Sequence, residues 1–252
     1  MSLQLRLPAS RAFDYLLLVL ASLALWAGLA WIAGPDALSG PGETLARAAD
    51  YLGSAAFWKH ARATGTAFGW ACLLSLAGGA AIGVLIGMSR LAAEVGEPIL
   101  GTLYSIPKIT LYPIILLVFG LSLSAKVAFG VLHGIFPVAL LTIGAIRNTK
   151  QVYLKTARVM RLTPVQTAST VLLPAILPEL VTGLRIGFSS ALLGTLIAEL
   201  FASEEGLGFM LIRAMEAHKV VDIMALAFLL FAAAAAIGGL LLAIEGRVHR
   251  AS

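Results

Sequence analysis

Charge is scarce in this chain. Only 12% of its 252 residues are Asp, Glu, Lys or Arg, where a soluble domain carries about a quarter. With 60% hydrophobic residues and a mean hydropathy of +0.94, the composition excludes a water-solvated globule and points to solvation by lipid. Cysteine is almost absent. Cys72, within an apolar run, is the single one, which excludes an intrachain disulfide and reads as a small core residue. No second His or Cys stands at metal-ligand spacing near His133, so no metal site is expected. No Gly-x-x-x-x-Gly-Lys-Ser/Thr phosphate loop occurs either, which leaves no ATP site in this chain. Acidic residues are missing from the whole interval between Glu97 and Glu179. The net charge of +5 and pI near 9.6 need no nucleic acid, because the basic residues cluster on one side of the expected spans.

What is present is a series of apolar runs, and the fold class expected is an all-α membrane protein with six transmembrane helices. After Arg6 and Arg11, the run Tyr15 to Ala33 is too long for a signal-peptide core and reads as a retained first span, about 14–33. An irregular loop follows, marked by Pro35, Gly40, Pro41 and Gly42, with a short interfacial helix from Glu43 to Leu52. The second span, about 63–88, carries Gly79, Gly83 and Gly87 at every fourth position, a stripe along which another helix can approach closely. The third, about 97–119, is interrupted by Pro107 and Pro113 and carries Lys108 near its centre. The fourth (about 127–146) contains His133 and Pro137, the fifth (about 180–201) Arg185 and Glu199, and the sixth (about 223–244) closes on Glu245. With both termini inside, ten of the 18 Lys and Arg lie inside, six (Lys126 among them) lie outside, and Lys108 and Arg185 lie within spans. That bias favours an N-in, C-in arrangement. The organisation expected is a span with its following loop over 1–60 and a core over 61–252.

The most patterned polar stretch is 147–178. Arg147, Lys150, Lys155, Arg158 and Arg161 fall within it. On a helical wheel Lys155, Arg158 and Arg161 share one side, with Leu154 and Leu162 among them, and Val152, Thr156, Val159 and Met160 share the other. A second helix start follows, with Thr163 as N-cap, Pro164 at N1 and Gln166 at N3 forming a capping box, and Pro174 and Pro178 bounding that helix. The pattern predicts a helix, a sharp corner, a short helix and a return to the membrane.

This stretch resembles the cytoplasmic signature of the binding-protein-dependent permeases of ATP-binding-cassette importers, the nitrate, sulfonate and taurine group in particular. That signature reads E-A-A-x-x-x-G, nine residues, then I-x-L-P. Lys155, Thr156 and Ala157 take the first positions, Arg161 the Gly, Val171 the Ile, and Leu173-Pro174 the closing pair. Arg161 enters a left-handed turn less cheaply than Gly, so the Thr163-Pro164 corner is expected to carry the break two residues later. Ser105-Ile106-Pro107 with Pro113 and Phe119-Gly120, Ala198-Glu199-Leu200 with Gly206-Leu207-Gly208, and Glu245-Gly246-Arg247 extend the resemblance over roughly 55–250.

The resemblance implies a type I importer permease fold and a homodimer in the membrane lipid. It also implies two cytoplasmic ATPases, which bind ATP and Mg, and a periplasmic substrate-binding protein. It gives this chain no catalysis, cofactor or nucleic acid. By resemblance Lys155, Thr156, Ala157, Arg158, Arg161, Leu162, Thr163 and Pro164 couple to the ATPase, and 203–222 caps the periplasmic mouth. Tyr104, Lys108, His133 and Glu199 are the candidates for a pathway or gate that passes a small anionic organic solute. Lys108 has two readings, a positive pathway residue or the partner of Glu199 in a salt bridge. Glu199 reads as gate or as a carboxylate solvated at the interface, His133 as a hydrogen-bonded core residue, and Arg185 as snorkelling to the boundary. The rival functions are an ATP-independent secondary transporter or channel, although no internal duplication is visible, and an intramembrane serine protease, suggested by Gly187-Phe188-Ser189-Ser190 with His133.

Overall fold

The computed structural model describes residues 11–149, 151–163, 166–201 and 203–251, and every regular element among them is helical. In chain order these are α1 (Arg11–Ala33), α2 (Pro41–Leu52), α3 (Ala55–Gly87), α4 (Arg90–Ser105), a 3-10 turn (Lys108–Leu111), α5 (Tyr112–Phe119), α6 (Leu123–Asn148), α7 (Gln151–Val159), a π turn (Thr167–Leu172), α8 (Leu173–Phe201), α9 (Leu207–Glu216) and α10 (Val220–Ala251). Five helices hold stretches long and apolar enough to cross a membrane, namely Leu16–Ala33, Ala55–Gly87, Leu123–Asn148, Glu179–Phe201 and Val220–Gly246. The pair Arg90–Ser105 and Lys108–Phe119, bent by 82°, makes a sixth if counted as one broken span. At about 1.5 Å per residue the 33 residues of α3 run about 50 Å, so this helix outlasts a hydrocarbon core of roughly 30 Å.

The chain forms two compact units. One comprises the chain up to Ser54 with Leu211–Leu229. In it the Trp26 indole donates to the Ser39 carbonyl at 3.0 Å, and the fully buried Ser39 hydroxyl accepts from Thr44 at 3.2 Å. Arg47 of α2 pairs with Asp222 at 2.5 Å and lies over the Tyr51 ring. The bond to Asp222 raises the Arg47 pKa, and burial, followed by Asp222, raises the Tyr51 phenol.

The other unit, Ala55–Met210 with Leu230–Ser252, is built on α6. Helices α3 and α8 both pack on it. The glycine stripe is what lets α3 approach. A Cβ on Gly79 would stand 2.7 Å from Val138 Cβ and 2.8 Å from the Ile135 carbonyl, and one on Gly83 would run into Thr142. Gly87 faces Ile146. Gly130, Gly134 and Gly187 play the same part between α6 and its two neighbours. The third span breaks as its prolines predict. Helix α4 stops before Ile106-Pro107, and Pro113 sits in the first turn of α5, where its missing N–H has no intrahelical partner to lose.

Pro174 and Pro178 behave differently from the expectation. Both lie inside the helical run instead of bounding it. The run enters through the π turn, whose wider i→i+5 pattern places Pro174 at the start of α8, where a proline is tolerated.

Candidate functional sites: an exposed elbow and a buried carboxylate

The elbow is set by two caps in succession. Helix α7 ends in a Schellman motif, in which the Arg161 N–H donates to the Arg158 carbonyl (3.0 Å) and the Leu162 N–H to the Ala157 carbonyl (3.0 Å). That closure needs a left-handed residue, and Arg161 takes it at φ +53°. The break therefore stays at the signature's glycine position and does not move to Thr163. The cost is roughly 1 kcal/mol relative to glycine. The predicted capping box then forms. The Gln166 N–H donates to Thr163 Oγ1 at 3.2 Å, and the Thr163 N–H to Gln166 Oε1 at 2.9 Å. Pro164, expected at N1, and Lys150 lie outside the described residues.

One α7 residue is anchored, since Ala157 is only 2% exposed. Lys155, Thr156, Arg158 and Arg161 are exposed. The apolar side is exposed as well, with Val159 at 83%, Met160 at 66% and Val152 at 66%.

Lys108 sits at the break in the third span. Its ammonium donates to the Tyr104 carbonyl at 2.7 Å, one of the orphan acceptors at the end of α4, and lies 4.5 Å from the Tyr104 ring centroid and 5.6 Å from that of Phe136. A helix C-terminus and two aromatic faces hold this charge. The salt bridge of Lys108 with Glu199 does not form. Glu199 takes Lys126 instead, at 3.7 Å.

Glu199 is not solvated at an interface either, for it is fully buried. Thr64 Oγ1 lies 3.0 and 2.8 Å from its two oxygens, and the Gly208 N–H donates to it at 3.0 Å. Around this carboxylate the segment 203–208 is stitched down. The Leu207 N–H donates to Thr64 Oγ1 (2.7 Å), the Gly206 N–H to His60 Nδ1 (3.0 Å), and Lys126 Nζ to the Glu205 carbonyl (2.5 Å). The spacing Gly206-Leu207-Gly208 now has a physical reason. Gly206 adopts φ +127° and a Cβ there would overlap the carboxylate, while one on Gly208 would come within 2.6 Å of Glu199 Cβ. One N–H in the first turn of α9, that of Gly208, thus points at an anion, as helix N-termini favour. Lys126, counted on the outer side of the membrane from the sequence, is only 6% exposed and has this anion as its partner.

The remaining candidates are accounted for locally. His133 Nδ1 hydrogen-bonds the Phe129 carbonyl of its own helix at 2.9 Å, as a core histidine does. Ser189 donates to the Arg185 carbonyl of its own helix at 3.4 Å, so no serine–histidine pair forms among the described residues. Arg185 has a partner near the end of the last span. It pairs with Glu245 at 2.8 Å, and Thr182 donates to the same carboxylate at 2.5 Å.

A bundle of apolar helices with a broken span and a basic, exposed elbow defines a multi-pass membrane protein. The chain belongs to the family of binding-protein-dependent transport system inner membrane components, whose model matches residues 79–250. It is similar to a "Probable ABC transporter permease protein" of Haemophilus influenzae, 34% identical over 69% of this chain and 70% of the relative. It is also similar to the taurine transport system permease protein TauC of Escherichia coli, 30% identical over 62% of this chain and 57% of the relative. A third relative is the formylaminopyrimidine transport permease protein ThiX of Halalkalibacterium halodurans, 30% identical over 79% and 80%. The chain is thus an ABC importer permease, a non-catalytic transport component of the inner membrane.

Proposed function

We propose that this permease forms the translocation pathway for a small anionic organic solute handed over by a periplasmic binding protein, working as a homodimer with two cytoplasmic ATPases that carry ATP and Mg. The chain lies N-in and C-in, and Lys155 to Pro164 form the element the ATPases grip. One observation carries this reading: α7 and its C-terminal cap expose Val152, Val159 and Met160 beside Lys155, Arg158 and Arg161. Apolar side chains left bare in a polar segment beyond the spans mark a protein contact. Closure of the ATPase pair then displaces the elbow and rocks the helices joined to it.

Tyr104 and Lys108 at the broken span are the pathway residues, since a cation held by a helix end and two rings keeps donors for an anion. His133 and Glu199 have a supporting part, shaping α6 and α8 around that pathway. The relatives' printed cargoes, taurine and formylaminopyrimidine, show that the family admits more than one chemistry, and Lys108 is the reason to favour an anion here.

The test replaces Arg161 and Leu162 together, R161A/L162A, in the complete transporter reconstituted in vesicles. ATP hydrolysis is expected to continue while uptake falls about ten-fold or more, with membrane insertion intact. Unchanged coupling of the two rates would refute the assignment.

A further inference from the structure

We propose that a cavity at the elbow end of the helical core binds the phosphate headgroup of an anionic phospholipid. The cavity holds about 750 Å³ and is lined where three segments end: Gly87 and Met88 at the end of α3, Ile146 and Arg147 at the end of α6, and Ala157 and Arg158 on α7. That volume lies in the range of pockets for small ligands, roughly 300–1,000 Å³.

Its two sides differ in chemistry. Ile146, Ala157 and Leu172 are buried and form an apolar floor, while Arg90, Arg147 and Arg158 come from three separate elements to form a basic rim. Arg90 is held by Glu94 at 2.9 Å and Arg147 by Glu97 at 2.5 Å. One carboxylate does not use up the five donors of a guanidinium. Arg158 has no carboxylate partner among the described residues. Two paired arginines and one unpaired arginine leave a single positive charge to be matched, and a phosphate diester supplies one negative charge and acceptor oxygens in the geometry that guanidinium prefers.

Position selects a lipid over a dissolved anion. Gly87 ends one candidate span and Arg147 stands one residue from the end of another. The rim therefore stands at the ends of two spans, within reach of headgroups, and the apolar floor offers a surface to the glycerol and first methylenes. Basic pockets between spans at this level hold anionic lipid headgroups by the same physics. Lys155 and Arg161 lie outside the lining, whereas Ala157, Arg158 and Leu162 belong both to it and to the proposed coupling element, so the experiment reads lipid retention separately from ATPase binding.

The experiment is native mass spectrometry of the purified full-length chain, after exchange into mixed micelles carrying equal amounts of phosphatidylglycerol and phosphatidylcholine. About one phosphatidylglycerol per chain is expected to remain bound. Retention should fall about five-fold in R158Q and further in R147Q/R158Q, and it should be unchanged in R213Q, whose arginine pairs with Glu216 on α9 and is no part of the cavity. Arg158 is exposed and has no carboxylate partner among the described residues, so R158Q tests the site without unfolding it. Equal retention of both lipids overturns the proposal, as does undiminished retention in the double variant. Displacement by millimolar inorganic phosphate overturns it in favour of a free-anion site, and loss of ATPase binding in R158Q with lipid retention unchanged overturns it in favour of a protein contact.

Discussion

The two ends of α8 handle charge in opposite ways. In its last turn Glu199 is buried together with Lys126, and the carboxylate is met by Thr64, Gly208 and Lys126 within the same unit. Before its N-terminus, Lys155, Arg158 and Arg161 stand exposed, and no acidic residue occurs anywhere from 98 to 178. A buried ion is tolerated only where partners replace water. An exposed set of cations needs no such partner and remains available to another molecule. One end is satisfied within the chain, and the other leaves its cations exposed. Backbone strain follows the same division: glycine occupies the left-handed position beside Glu199, whereas arginine occupies it in the elbow.

Three substitutions probe that contrast, in decreasing order of effect. Glu199→Ala strands Lys126 in a buried site and should cost about 3–5 kcal/mol, visible as a large drop in the thermal unfolding temperature in detergent. A small drop would mean that the pair is wetter than its burial implies. Gly206→Ala keeps every charge but forces a Cβ into the carboxylate at an unfavourable φ, for an expected loss of about 1–3 kcal/mol, with faster proteolysis at 203–208 as the local sign. Arg161→Gly should act in the opposite direction and stabilise the elbow by about 1 kcal/mol, read as slower hydrogen exchange at the Leu162 amide. If exchange there quickens, the arginine is held by contacts beyond its own cap.

Much of this was legible in the residues because it depends on local rules. The spans follow from hydropathy, the third-span break from Pro107 and Pro113, and the reciprocal cap from Thr163 and Gln166 three positions apart. The Lys126–Glu199 pair was not legible, because its members are 73 positions apart and only the packing of α3, α6 and α8 brings them together. One sign was available: a lysine in the first turn of an apolar helix, within a long interval lacking any acid. The continuity of the helix through Pro174 was hidden for a different reason, since local rules describe α-helix and the chain uses a π turn there. The Arg185–Glu245 pair was equally illegible, because its members lie on different spans.

The stripe of missing side chains on α3 has a mechanical consequence. Val138, Thr142 and Ile146 of α6 seat opposite Gly79, Gly83 and Gly87, like teeth in evenly spaced notches. Sliding one helix along the other by less than a helical turn, about 5.4 Å, would drive those teeth into bare backbone. Axial slippage is thereby quantised, and the low-cost displacement for α3 and α6 is to swing together as one rod.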